Sequence, residues 1–201
     1  MILNMLQRGL ISLIISIVIA ANCHGQINYI DSNLIQWDSI DKIKWENFLS
    51  KNDSSLSAAE SNTFIQPKFY LRADSVFCRI ISFFNPNKSW KKEQILNANY
   101  GLNHEQIHFD ITEIFARRIR KQIINSKTSE QNEYTIQKIY QENVIACNYF
   151  QDLYDSETEH SLNRLNQDKW NKKVKESILS LSEYKEQSIH IKFPICKICW
   201  K

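Results

Sequence analysis

Apolar positions along this chain change their spacing near Ser89 and again near the C-terminal end. Up to residue 84 they fall in short runs: Phe64 to Tyr70 and Val76 to Phe84 carry the β-branched and aromatic content of strands, and Asn85-Pro86-Asn87 stops the second. Ile27 to Leu49 is mixed and reads as one or two short strands, and Lys51 to Asn62, rich in Ser, Asn and Asp, reads as a loop. After Ser89 the period becomes helical. Ile107, Ile111, Ile114, Phe115 and Ile119 predict a helix over 99–124. Ile136, Tyr140, Val144 and Cys147 predict a second over 130–154, and a third follows over 158–181 before a strand-like run at 188–193. Strands first and helices afterwards predict an α+β domain, not alternating βαβ units: a small antiparallel sheet on the first helix, with two further helices behind it.

Composition narrows the class. Of 201 residues 43% are hydrophobic and 23% charged, enough to bury a core, while 3 Gly and 3 Pro argue against a many-turned barrel or sandwich. A net charge of +3 is too small for a nucleic-acid footprint. The first 25 residues differ from the rest: Arg8, the apolar run Leu10 to Ala21, then Ala20, Ala21 and Gly25 form the three regions of a secretory signal. We expect cleavage after Gly25, leaving residues 26–201 as one secreted or periplasmic domain without a transmembrane span. Lipid anchoring at Cys23 is the weaker alternative, because Asn22 is a poor residue before a lipobox cysteine. In an oxidising compartment Cys78, Cys147, Cys196 and Cys199 read as structural bridges or free thiols. The pair Cys196-Lys197-Ile198-Cys199 has no second C-x-x-C to make a zinc ribbon.

The chemistry lies in the first helix. His104-Glu105-Gln106-Ile107-His108 is H-E-x-x-H, which on a helix sets two imidazoles one turn apart on one face, able to converge on one metal ion. Glu105 lies about 100° round, where a carboxylate reaches a water beside the ion without ligating it. The chain has five histidines, and two of them occupy this motif. A catalytic zinc ion (Zn2+) needs a third protein ligand and an open position. Asp110 and Glu113 face away on a straight helix. His160 lies where the second helix is expected to end and the chain to fold back, so it is the expected third ligand, with His190 as the alternative.

These residues resemble, over most of 40–180, a bacterial family of predicted secreted zinc-dependent proteases catalogued as a domain of unknown function. The resemblance is carried by Ile43-Lys44-Trp45-Glu46-Asn47-Phe48, Ser89-Trp90, His104 to Ile111, Glu113, Ala116-Arg117, Tyr154-Asp155, Thr158, His160, Asn163, Gln167 and Trp170. It implies a zincin-like peptidase of the cell envelope, with His104 and His108 as ligands, Glu105 as catalytic carboxylate and a downstream histidine matching His160. The family's glycine after that histidine is Ser161 here.

The expected chemistry is metal-assisted hydrolysis of a peptide or protein substrate, with Glu105 taking a proton from water and passing it to the leaving amine. Tyr154 is the expected oxyanion donor. Asp110 and Asp155 are expected to accept from the free nitrogen of a ligand histidine. An edge strand such as Val76 to Phe84 would pair with an extended substrate. Arg117, Arg118, Arg120 and Lys121 read as a basic helix end favoured by the helix dipole. Two other classes share these residues: a metal-binding envelope protein without activity, and an amidohydrolase of cell-wall peptide. Oligomeric state is not legible.

Overall fold

The computed structural model describes residues 33–191 apart from 53, 56, 73–74, 94–97 and 127–131. The expected leader, Cys23, Cys196 and Cys199 lie outside the described residues. The described chain is α+β. Its strands are β1 (Ile35–Gln36), β2 (Ala59–Glu60), β3 (Thr63–Arg72), β4 (Ser75–Phe84), β5 (Trp90–Lys91) and β6 (Ser188–Ile191). The helices are α1 (Ala98–Asn125), α2 (Glu133–Thr158) and α3 (Arg164–Ser180). Asn33–Phe193 form one compact unit. No helix of the described residues is long and apolar enough to cross a membrane.

The sheet grows from a long antiparallel pairing of β3 and β4, in register from Thr63↔Phe84 to Arg72↔Ser75. On its other side β4 pairs with β1 at one end and with β6 at the other. Val76 to Phe84 is therefore the centre of the sheet and not the expected edge; β3 is the edge. The strand-like tail run earns its place there because Ile189 and Ile191 turn inward and are buried. β2 and β5 form a separate two-stranded ribbon inside stretches that lack strand-like periodicity.

Helix α1 packs on β3 and β4 with one side and on α2 and α3 with the other. That double cover explains its burial: of residues 104–120 all but His108 and Arg118 are buried. Beside its N-terminal half Trp37, Ile43, Phe48, Phe84 and Phe109 form an apolar cluster that brings the segment before β2 onto the helix. Asn132 caps α2, its side chain accepting from the Thr135 N–H, and Asn163 caps α3 by accepting from the Asn166 N–H. Between them Glu159, His160 and Ser161 all have positive φ, at 51°, 50° and 73°. Left-handed backbone costs a non-glycine residue roughly 1–2 kcal/mol, so this reversal is made at some strain.

The basic end expected at Arg117–Lys121 is instead partly interior, because Arg117 and Arg120 lie on the faces of α1 that β4, α3 and the segment after α3 cover. Arg117 and Arg120 are buried and share Glu113: its Oε1 accepts from Arg117 Nε at 2.9 Å and Arg120 Nη1 at 3.0 Å, and its Oε2 from Arg120 Nη2 at 3.2 Å and from the Ser82 hydroxyl. Other guanidinium hydrogens reach backbone carbonyls, Arg120 donating to Ile80 at 3.0 Å and Tyr184 at 2.9 Å, and Arg117 to Ile178 at 2.9 Å. One carboxylate thus fastens α1 to the sheet and to the segment after α3. Cys78 and Cys147 are free and buried, and burial pushes both thiols up to about 12, so neither is a reactive thiolate.

Candidate metal centre

His104 and His108 stand one turn apart on the side of α1 that faces α2, with ring centroids 4.9 Å apart. Their Nε2 atoms turn towards each other at 3.3 Å. Asp155, in the last turn of α2, places Oδ1 at 3.1 Å from the first and 3.0 Å from the second. The two Nδ1 atoms face outward onto amide oxygens, His104 onto Gln167 Oε1 at 2.9 Å and His108 onto Gln151 Oε1 at 2.5 Å.

That outward bonding decides what the inner atoms are. A ring that donates through Nδ1 keeps a lone pair on Nε2. Two such lone pairs and a carboxylate oxygen then converge with no hydrogen between them. Three acceptors at 3.0–3.3 Å repel one another unless a cation sits among them, either a proton or a metal ion. Donor atoms about 2.0–2.2 Å from a tetrahedral zinc ion lie roughly 3.3–3.5 Å apart, close to the separations here, so the residues fit such an ion.

The electrostatics tell the same story. Burial alone would lower the His108 pKa, but the Asp155 hydrogen bond and the charges of Glu105 and Asp155 outweigh it and hold it above the ordinary imidazole value. Burial works to raise that of Asp155, yet His104 and His108, which donate to it whenever Nε2 carries a proton, bring it well below the carboxylate range. The cluster attracts positive charge.

Glu105 is 5% exposed, and its Oε2 has no hydrogen-bond partner and no access to bulk solvent. With His104, His108 and Asp155 it lines a groove of about 1140 Å³, walled by 57–65 on one side and by Tyr140, Val144, Cys147 and Gln151 of α2 on the other. A buried carboxylate oxygen with no partner costs about 1–3 kcal/mol or more. The Ser61 hydroxyl reaches the Glu105 carbonyl at 3.5 Å, holding the first wall against the helix.

Four expectations change. The third converging atom belongs to Asp155 and not to His160, because α2 runs on to Thr158 and keeps Asp155 on the face that carries Gln151 four residues earlier. His160 lies beyond the helix end on the rim of the same groove, its side chain 66% exposed, and its Nδ1 approaches Asp155 at 3.6 Å. Asp155 in turn faces Nε2 and so does not accept from an outward ring nitrogen; the glutamines do. Asp110 does not touch a ligand histidine either: two residues past His108 it points to the N-terminal segment, accepting from Trp37 Nε1 at 2.7 Å and Gln106 Nε2 at 2.8 Å.

Tyr154 is not an oxyanion donor facing the groove. It is fully buried behind the histidines, stacked on the His104 ring at 4.6 Å, and its hydroxyl donates to the His104 carbonyl at 3.3 Å while accepting from Gln167 Nε2 at 2.6 Å. Burial pushes its pKa far above that of an ordinary phenol. Glu113 does face away from the histidines, as the helix arithmetic requires. Gln151 is the site residue that periodicity did not reveal, although its spacing to Asp155 repeats that of His104 to His108. Compared with known proteins, the chain matches no family model, no curated protein and no solved structure.

Proposed function

We infer that this protein is a zinc-dependent peptidase, with the ion held by His104, His108 and Asp155. The observation that carries the reading is the conjunction of three converging acceptor atoms with an unpartnered Glu105 oxygen beside them in one groove. A metal-storage or structural site would need the first and not the second. A zinc ion there would supply Lewis acidity, polarising a carbonyl and making water acidic enough to lose a proton near neutrality. Glu105 takes that proton and hands it to the departing amine as the peptide bond breaks. The zincin-like family resemblance in the sequence points to the same chemistry.

The peptide preference follows from β3. Strand residues alternate their backbone groups between the two edges. The Asn62 carbonyl accepts from the Asn85 N–H on the β4 side, whereas the Ile65 carbonyl accepts from the Tyr140 hydroxyl at 2.9 Å on the other. Thr63 and Ile65 therefore turn their N–H groups to the groove, and so does the Thr63 carbonyl. An extended substrate adds there as a short strand alongside Glu105. Pro67, next on that edge, has no N–H and ends the pairing.

The test uses the zinc-loaded chain and a library of internally quenched peptides. Cleavage lost on chelation and restored by zinc is expected, and Glu105→Gln should keep zinc while lowering hydrolysis by about 10²–10⁴-fold. Cleavage that survives both treatments would remove the reading.

A further inference from the structure

We propose that Gln151 and Gln167 are the positioning residues of the metal centre, each locking one ligand histidine in the tautomer that presents Nε2. The proposal rests on the metal reading above and concerns how the chain holds its ligands ready.

An amide's two ends are told apart by their partners, and a backbone carbonyl can only accept. Gln151 Nε2 lies 2.9 Å from the His108 carbonyl, so its nitrogen end is there. The same amide donates to the Thr112 hydroxyl at 3.2 Å. Its oxygen is then the atom 2.5 Å from His108 Nδ1, and that nitrogen must carry the hydrogen.

At His104 the circuit is one member longer. The His104 carbonyl accepts from the Tyr154 hydroxyl, whose oxygen accepts from Gln167 Nε2, and the same Nε2 donates to Asn171 Oδ1 at 3.0 Å. Gln167 Oε1 is left facing His104 Nδ1 at 2.9 Å. Both circuits start and finish on one ligand residue, joining its ring to its own carbonyl through an amide from another helix. Gln151 comes from α2 and Gln167 from α3, so the same device is built twice from independent elements.

The choice of an amide over a carboxylate has a chemical meaning. A carboxylate on Nδ1 draws off its hydrogen and makes the ring a more electron-rich ligand. A neutral amide orients the ring as firmly and leaves it neutral. Asp155 would then be the one anion among the converging donors, and a bound zinc ion would keep more of its Lewis acidity.

Zinc affinity of the full chain, measured by competition with a chromophoric chelator, tests this. Gln151→Leu and Gln167→Leu should each weaken zinc about 10–100-fold, the usual effect of losing an outer partner. Gln151→Glu and Gln167→Glu keep an acceptor on Nδ1 but lose the donor end of the amide, so each should bind zinc more tightly than its leucine counterpart. Long-range proton–nitrogen NMR of the zinc-loaded parent should show hydrogen on both Nδ1 atoms and the metal on both Nε2 atoms. Leucine variants with parental affinity, or coordination through Nδ1, would overturn the proposal while leaving the metal reading standing. A parent chain that binds no zinc would overturn both. If the leucine variants do not fold, the NMR spectrum still decides.

Discussion

Helix α1 carries two buried polar clusters about 12 Å apart along its axis, and they are built on opposite rules. Around Glu113 each carboxylate oxygen meets donors, and Arg117 and Arg120 also donate to backbone carbonyls. Around His104 and His108 acceptors face acceptors, and Glu105 Oε2 meets nothing. Both clusters have their helix residues largely buried, and both lie where the helix is covered on two sides, although the second opens onto the groove through Asp155. Burial therefore does not distinguish a functional site; the balance of donors and acceptors does. The closed cluster is complete by itself, and the open one requires something brought from outside.

The sharpest way to break this contrast is to open the closed cluster. Glu113→Ala leaves two buried guanidinium groups without their shared anion and should cost about 3–5 kcal/mol of unfolding free energy in urea denaturation, with or without zinc. A loss below 1 kcal/mol would mean that water enters the cluster freely and that the two sites are less different than they look.

Next in size is removal of the site's own anion. Asp155→Ala should weaken zinc by more than the roughly 10–100-fold of an outer partner, whereas His160→Ala should change it by less than that. Equal losses in chelator competition would restore His160 as a ligand.

Acidity sharpens the comparison further, since protons and metal compete for the open cluster only. In the zinc-free chain the depressed Asp155 pKa gives stability that is present above about pH 4 and lost as pH falls through the folded value. The raised His108 pKa gives stability that is full below about pH 6.5 and lost as pH rises through its folded value. The zinc-free protein should therefore hold best between about pH 4 and 6.5, and the rise in melting temperature caused by zinc should grow above that window. A zinc-induced rise that stays flat from pH 5 to 8 would contradict the assignment.

The smallest effect concerns the reversal between α2 and α3. Ser161→Gly relieves a left-handed residue with φ at 73° and should stabilise the chain by up to about 1 kcal/mol without altering zinc affinity. Destabilisation would show that the Ser161 side chain makes a contact the backbone strain conceals.

Much of this was readable from residue order where the information was local. H-E-x-x-H needs only one helix, and the periodicity around Ile107, Ile111 and Ile114 supplied it. The helix-to-loop boundary at Tyr154–His160 was not readable, because Asp155-Ser156-Glu157-Thr158 looks like a turn in composition and becomes a final helical turn once the Glu159 N–H closes on the Asp155 and Ser156 carbonyls. That one displacement moved Asp155 from loop to helix and brought its carboxylate, in place of the His160 ring, up to the two Nε2 atoms. Glu113 with Arg117 and Arg120 did carry a signal, an acid followed by bases at four and seven residues, but a helix-end reading hid it. The partner of β6 was beyond sequence reasoning, since strand order depends on contacts more than a hundred residues apart.

Pro67 also bears on how molecules of this protein meet one another. Bare strand edges invite pairing between copies, and β3 is the long edge of the sheet, with Phe69 and Tyr70 exposed near its far end. A missing N–H in the middle of that edge breaks the ladder a second copy would need, and the Tyr140 hydroxyl already occupies the carbonyl before it. Pairing of copies into ribbons is thereby discouraged along the long edge that borders the groove, and the same break limits how many ladder bonds any extended segment can make there.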